Sequence, residues 1–236
     1  MRFAIRPPRA GRLAATAVAA LLVVATVACA PPPRYVVPVG DARQLVVVTS
    51  SGWSSTSGRL STYEKVGSTW RTVRSGLPVR LGRHGLNANH QEGDGTTPAG
   101  SFPIVGMMGG QANPGVRFPY HQLVPGDCWI SNSALASYNT MVHASPCSPP
   151  NEDLYRIGAG AYRYAAITGY NMSPVVPGAG SAIFLHRDSY DSAGRSVPTS
   201  GCVSMGETDL LSVLRWLDPA AHPRVAIGPS SWLVLP

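Results

Sequence analysis

Turn formers punctuate this chain so densely that long helices have little room. The 25 Gly and 22 Pro make up about a fifth of its 236 residues and break it into short segments. Between the breaks, strand patterns dominate. Leu45 to Thr49 is a β-branched run. Arg59 to Lys65 and Thr69 to Val73 flank Val66-Gly67-Ser68 as the arms of a hairpin. Ala165 to Thr168 and Ser181 to His186 read as buried strands. One clear helix is expected, because Leu210, Val213, Leu214 and Leu217 recur at helical spacing, and Asp218-Pro219 ends it. A second, short helix is expected over Asn151 to Ile157. No internal repeat or acidic run interrupts this pattern. The fold expected is mainly β, with one or two peripheral helices and a single domain over residues 42–236.

The N-terminus reads as an export signal over residues 1–28. Arg2, Arg6, Arg9 and Arg12 form a basic leader, and Leu13 to Val27 is apolar. That stretch is shorter than the roughly 20 residues of a comfortable membrane span. Two processing routes fit. One is a cut before Cys29 with lipid added to its thiol, as in bacterial lipoproteins; Ala28 suits it and Thr26 does not. The other is ordinary cleavage near Ala28-Cys29-Ala30, which Pro31 opposes. An uncleaved membrane anchor is the third reading. Residues 29–41, opening on Pro31-Pro32-Pro33, read as a stiff tether. Removing the four Arg of residues 1–28, where no acid occurs, lowers the formal charge from +7 to +3. A charge that small does not point to nucleic acid; it fits work near an anionic envelope or plain solubility.

Export places the mature chain in an oxidising space, where disulfides persist. Pairing Cys128 with Cys147 would close a loop of about 20 residues, contributing about 3 kcal/mol in the chain-entropy model. It leaves Cys29 for lipid and Cys202 free for chemistry. The rival is a bridge from Cys202 to Cys128 or Cys147.

Cys202 stands in Thr199-Ser200-Gly201-Cys202-Val203, sixteen residues after His186. A thiol is a good nucleophile as thiolate, and a nearby imidazole can take its proton and return it to a leaving amine. A Gly just before the thiol allows close approach of another chain, and the N–H groups of that turn can face an oxyanion. The spacing alone is weak evidence in a chain with six His and four Cys.

Two sequence blocks strengthen it. The first runs from Arg83-His84-Gly85-Leu86 through Glu92-Gly93-Asp94-Gly95-Thr96-Thr97-Pro98-Ala99-Gly100 to Ile104. The second runs from Gly180 through Phe184-Leu185-His186 to Thr199-Ser200-Gly201-Cys202-Val203-Ser204. Together, in order, they resemble the L,D-transpeptidase catalytic domain family (YkuD family) over about Leu45 to Trp232. The resemblance implies a β-sandwich-like catalytic fold and acyl transfer on peptidoglycan stem peptides. It maps Cys202 to the nucleophile, His186 to the general base and acid, and Gly201 with the Cys202 N–H to the oxyanion turn. Two positions depart from the family pattern. Ser200 stands where a His is usual, and Ser204 where an Asn is often found. An L,D-carboxypeptidase on the same scaffold and a non-catalytic wall-binding domain are the alternatives.

The remaining candidates are weaker. Arg195 and Thr199 lie in the loop between base and nucleophile, and Arg195 could hold a substrate carboxylate or be an ordinary solvated charge. Asp94 could accept a substrate amine, in a turn that lacks the spacing of a calcium loop. Tyr138-Asn139 and Tyr170-Asn171 read first as core residues with a polar rim, and Trp216 and Trp232 as packing residues. The orienting partner of His186 is not legible; a backbone carbonyl competes with the adjoining Arg187 and Asp188. His84, His90, His121 and His143 lack zinc-site spacing, so no metal or cofactor is expected.

Overall fold

The computed structural model describes Met1 and residues 34–236. Strands β1 (Tyr35–Val36), β2 (Gln44–Ser50), β3 (Ser57–Val66) and β4 (Thr69–Arg80) come first. β5 (Leu86–Asn87), β6 (Thr97–Pro98), β7 (Gly100–Gly109) and β8 (Tyr120–Gln122) follow. β9 (Asp127–Trp129), β10 (Met141–His143) and β11 (Glu152–Asp153) form a small antiparallel sheet that leads into α1 (Leu154–Gly158). β12 (Ala165–Thr168), β13 (Phe184–Arg187) and β14 (Val203–Met205) precede α2 (Glu207–Trp216). β15 (Arg224–Pro229) and β16 (Leu233–Val234) come last.

The main sheet runs β12-β13-β14-β4-β3-β2-β15-β7-β8, and β12 also pairs with β7. The sheet therefore returns on itself. β7 makes this possible by length: Gly100 to Pro103 pair with β15, and Ile104 to Met108 pair with β12 across an irregularity at Ile167/Thr168. Inside sit Val46, Val48, Leu60, Val79, Met107, Leu185, Val203, Met205, Val225 and Ile227, with Leu210, Val213 and Leu214 of α2 and Leu217 just after it packed into the same core. The mainly β fold with peripheral helices is thus the observed one. β2 is buried on both faces, because Leu45 and Val47 join a second cluster with Val37, Ala226 and Leu233. This is why its sequence is a continuous apolar run without alternation.

Local differences have physical causes. The hairpin arms are longer than expected, at Ser57–Val66 and Thr69–Arg80. The strand that carries His186 starts only at Phe184, since Ala182 lies at φ 55°, outside the extended region. The short helix starts at Leu154 because Asp153 caps it, its side chain accepting the Arg156 N–H, while Glu152–Asp153 pair with β9. Residues 35–37 of the expected tether belong to the domain: β1 pairs with β16, Tyr35 stacks on Trp232 at 4.6 Å, and Val37 is buried. The export signal, Cys29 and the proline run lie outside the described residues. Among the described residues no helix is long and apolar enough to cross a membrane.

Cys128 and Cys147 are bridged, with Cα atoms 5.6 Å apart, and Cys202 is free and buried. A bridge from Cys202 to Cys128 or Cys147 is therefore ruled out. The disulfide ties β9 to the loop after β10. Replacing both bridged cysteines with Ala should lower the unfolding free energy by about 3 kcal/mol in urea titration. In the native, unreduced protein Cys128 and Cys147 should resist alkylation; free labelling of either would contradict the bridge.

Candidate active site

β13 and β14 lie side by side in parallel, with Leu185 beside Val203 and His186 beside Ser204. Their alternation divides the residues between two faces. Leu185, Val203 and Met205 enter the enclosed core, whereas Phe184 and Cys202 join a separate cluster with Trp129, Leu154, Tyr162 and Ala182. His186 shares that outer face, its ring 5.3 Å from Tyr162. The site thus forms where the outer face of the main sheet meets the disulfide-stapled segment. A cleft of about 520 Å³ opens there, lined by Cys202, His186, Tyr162, Glu152, Glu92, Arg83 and the Thr199–Gly201 turn among others.

The turn before Cys202 is tightly held. The Thr199 hydroxyl donates to the Cys202 carbonyl at 2.6 Å and accepts the Gly201 N–H at 3.1 Å. Thr97 donates to the same carbonyl at 3.3 Å. Gly201 permits this approach: a Cβ there would lie 3.1 Å from Thr96 O and 3.2 Å from Ile183 Cδ1. The Cys202 thiol donates to Ala182 O at 3.2 Å and its sulfur accepts the Phe184 N–H at 3.3 Å. No hydrogen bond joins it to His186 among the described residues.

His186 Nδ1 lies 2.6 Å from the Arg187 carbonyl, so the orienting group is a backbone carbonyl. A carbonyl can only accept, which places the proton on Nδ1 and leaves the Nε2 lone pair free in the neutral ring. Burial lowers His186 to about 4, against the pull of that carbonyl. Burial raises Cys202 to about 12, the Glu152 charge adds to the rise, and the Phe184 N–H opposes it. Both groups are therefore neutral at pH 7. Glu152 accepts the Tyr162 hydroxyl at 2.7 Å. Burial pushes its carboxyl up, the Tyr162 hydrogen bond pulls it down, and the Glu92 charge pushes it up again.

The model of the L,D-transpeptidase catalytic domain (YkuD) matches residues 46–227. The chain belongs to this family. No curated protein matches it. Among solved structures, it is similar to the helical cell shape determining protein Pgp2 from Campylobacter jejuni, at 14% identity and a TM-score of 0.41. A lysine-to-alanine mutant of that protein matches at 16% identity and a TM-score of 0.40. Each match covers 80% of this chain, which spans 48% of the length of those proteins.

The two departures from the L,D-transpeptidase pattern have defined surroundings. Ser200 accepts from Arg83 Nη1 at 3.1 Å. Ser204 is fully buried and donates to Asp188 at 2.7 Å. Among the other expected residues, Thr199 lies in the cleft. Arg195 does not: it is exposed and pairs with Asp191 at 2.9 Å. Asp94 is also outside the cleft lining. Its Oδ1 accepts the Thr96 N–H and hydroxyl, and its Oδ2 accepts the Gln91 N–H, so it braces the turn beside the site. Asn139 is a hub, accepting from the Trp129 indole and the Ala182 N–H.

Sequence reasoning missed Glu152, Tyr162, Glu92 and Arg83 as members of the cleft. Only Arg83 and Glu92 carried a signal, through their place in the first family block.

At pH 8 iodoacetamide should label Cys202 far more slowly than an exposed cysteine, with the rate still rising above pH 9. Glu152→Gln removes a negative charge that disfavours the thiolate, so labelling at any given pH should quicken. A labelling midpoint near the ordinary thiol value would contradict this electrostatic picture.

Proposed function

We propose that the protein is a cysteine acyltransferase of peptidoglycan stem peptides, with Cys202 as nucleophile and His186 as general base and acid. The observation that carries this reading is the meeting of a free thiol and a neutral imidazole in one cleft of an L,D-transpeptidase domain. The thiol turns from Ala182 O toward His186 Nε2 and gives up its proton as sulfur attacks the carbonyl of the third stem residue. The S–C bond forms, the C–N bond to the terminal D-Ala breaks, and the proton passes from His186 to the departing amine. The amine of a second stem then attacks the thioester and restores the thiol.

Because the resting thiol is neutral, its proton has to pass to His186 for the sulfur to attack. The Gly201 N–H is occupied by Thr199, so the Cys202 N–H is the turn's donor for the oxyanion. One such donor is worth a factor of about 10²–10³ in rate. Export, with lipid on Cys29, is part of the same proposal. The Cys128–Cys147 disulfide supports an oxidising compartment.

Incubation with tetrapeptide-bearing muropeptides and chromatography of the products tests the function. Wild type should give cross-linked dimers, and Cys202→Ala none, with a nearly unchanged thermal midpoint. His186→Ala should lose about 10²–10⁴ in rate. Trimmed tripeptide alone would make water the acceptor and the enzyme an L,D-carboxypeptidase. An equally active Cys202→Ala variant would refute the mechanism.

A further inference from the structure

Among the described residues Arg83 is the sole arginine lining the cleft, and no lysine lines it. Three features fix its place. Its backbone N–H donates to Thr199 O at 2.8 Å, pinning it to the segment that leads into the nucleophile turn. Its Nη1 donates to Ser200 Oγ at 3.1 Å, two residues before Cys202. The guanidinium passes over Gly95, whose φ is 73°; a Cβ there would lie 3.0 Å from Arg83 Cζ and Nε. Gly95 thus leaves the space in which the side chain lies.

The charge itself has no carboxylate partner among the described residues. Some arginines do, as Arg117 with Asp218, Arg187 with Glu207 and Arg195 with Asp191; others, Arg43 and Arg59 among them, do not, but Arg83 alone of the unpaired ones lines the cleft. Guanidinium presents five donors in a rigid fork, of which Ser200 takes one. A pinned, unpaired fork on the rim of a cleft matches a carboxylate in geometry and charge. Glu92 and Glu152 are acidic residues of the same cleft lining. A peptide carboxylate is drawn to the guanidinium rather than to them.

We propose that Arg83 anchors the free C-terminal carboxylate of the acyl-donor peptide. The scissile carbonyl lies one residue back from that carboxylate, roughly 3.5 Å along an extended chain. An anchor hydrogen-bonded to Ser200, itself two residues ahead of Cys202, is on the scale needed to hold that carbonyl over the thiol. This role was the one considered for Arg195, which the fold turns away from the cleft. Ser200 acquires a role as well, as the acceptor that orients the fork. The assignment rests on the acyl-donor reading proposed above.

Binding without turnover tests it. In a Cys202→Ala background, isothermal titration would compare a stem tetrapeptide ending in a D-Ala carboxylate with the same peptide ending in a carboxamide. The carboxylate form should bind about tenfold or more tightly. Adding Arg83→Ala should abolish that preference by weakening the carboxylate form alone. Arg83→Lys should restore part of it, and Gly95→Ala, by displacing the guanidinium, should mimic Arg83→Ala. A preference that survives Arg83→Ala, or no binding preference at all, would overturn the assignment. A merely structural Arg83 would weaken both peptides equally, which also overturns it. The proposed acyl transfer is judged separately, by the products of the wild-type protein.

Discussion

Parallel pairing of β13 with β14 sets the positions of His186 and Cys202. Alternate residues point to opposite faces, so Leu185, Val203 and Met205 enter the enclosed core while His186 and Cys202 face the cleft. Burying each of those apolar side chains is worth about 1.5–3 kcal/mol. A slip of one residue in β13 would expose Leu185 and turn His186 into the core; one in β14 would expose Val203 and Met205 and turn Cys202 inward. The hydrophobic core therefore fixes the register, and the site inherits its geometry. The Cys202 carbonyl, held by Thr199 and Thr97, fixes the last degree of freedom just before the strand begins.

The cover over that face sets the chemistry. The segment carrying Trp129, Leu154 and Tyr162 packs on Phe184 and Cys202 and is stapled by the Cys128–Cys147 bridge. Removing water from the pair penalises both charged forms, which raises the thiol and lowers the imidazole. A resting thiolate–imidazolium pair is thereby disfavoured. On the proposed mechanism the charge develops only when a substrate carbonyl is present to receive it. The cover also brings Glu152, whose charge opposes thiolate formation at Cys202.

Much of this was legible in the sequence, for reasons that differ by element. The β3–β4 hairpin, β12 and α2 follow from local patterns that their packing reinforces. The disulfide followed from compartment and cysteine count, and the family from two blocks read together. Glu152 and Tyr162 escaped because they reach Cys202 through tertiary packing of a segment distant in sequence, and neither breaks a local pattern. Arg195 looked suited to a carboxylate by its position between base and nucleophile, but Asp191, four residues earlier, takes its charge. Arg83 lies far earlier in the chain and meets the turn through the bridge between Gly82 and Thr199. Only the fold discloses that neighbour. The extra length of β7, which lets the sheet return to β12, likewise depends on a closure that no local window contains.

The central claim is that Cys202 carries the acyl group. Intact-mass analysis of wild-type protein quenched within seconds of mixing with a tetrapeptide donor addresses it directly, followed by peptide mapping. The account predicts an added mass equal to the donor less its terminal D-Ala, located on the peptide containing Cys202. Product formation with no such adduct, or an adduct on another residue, would contradict it.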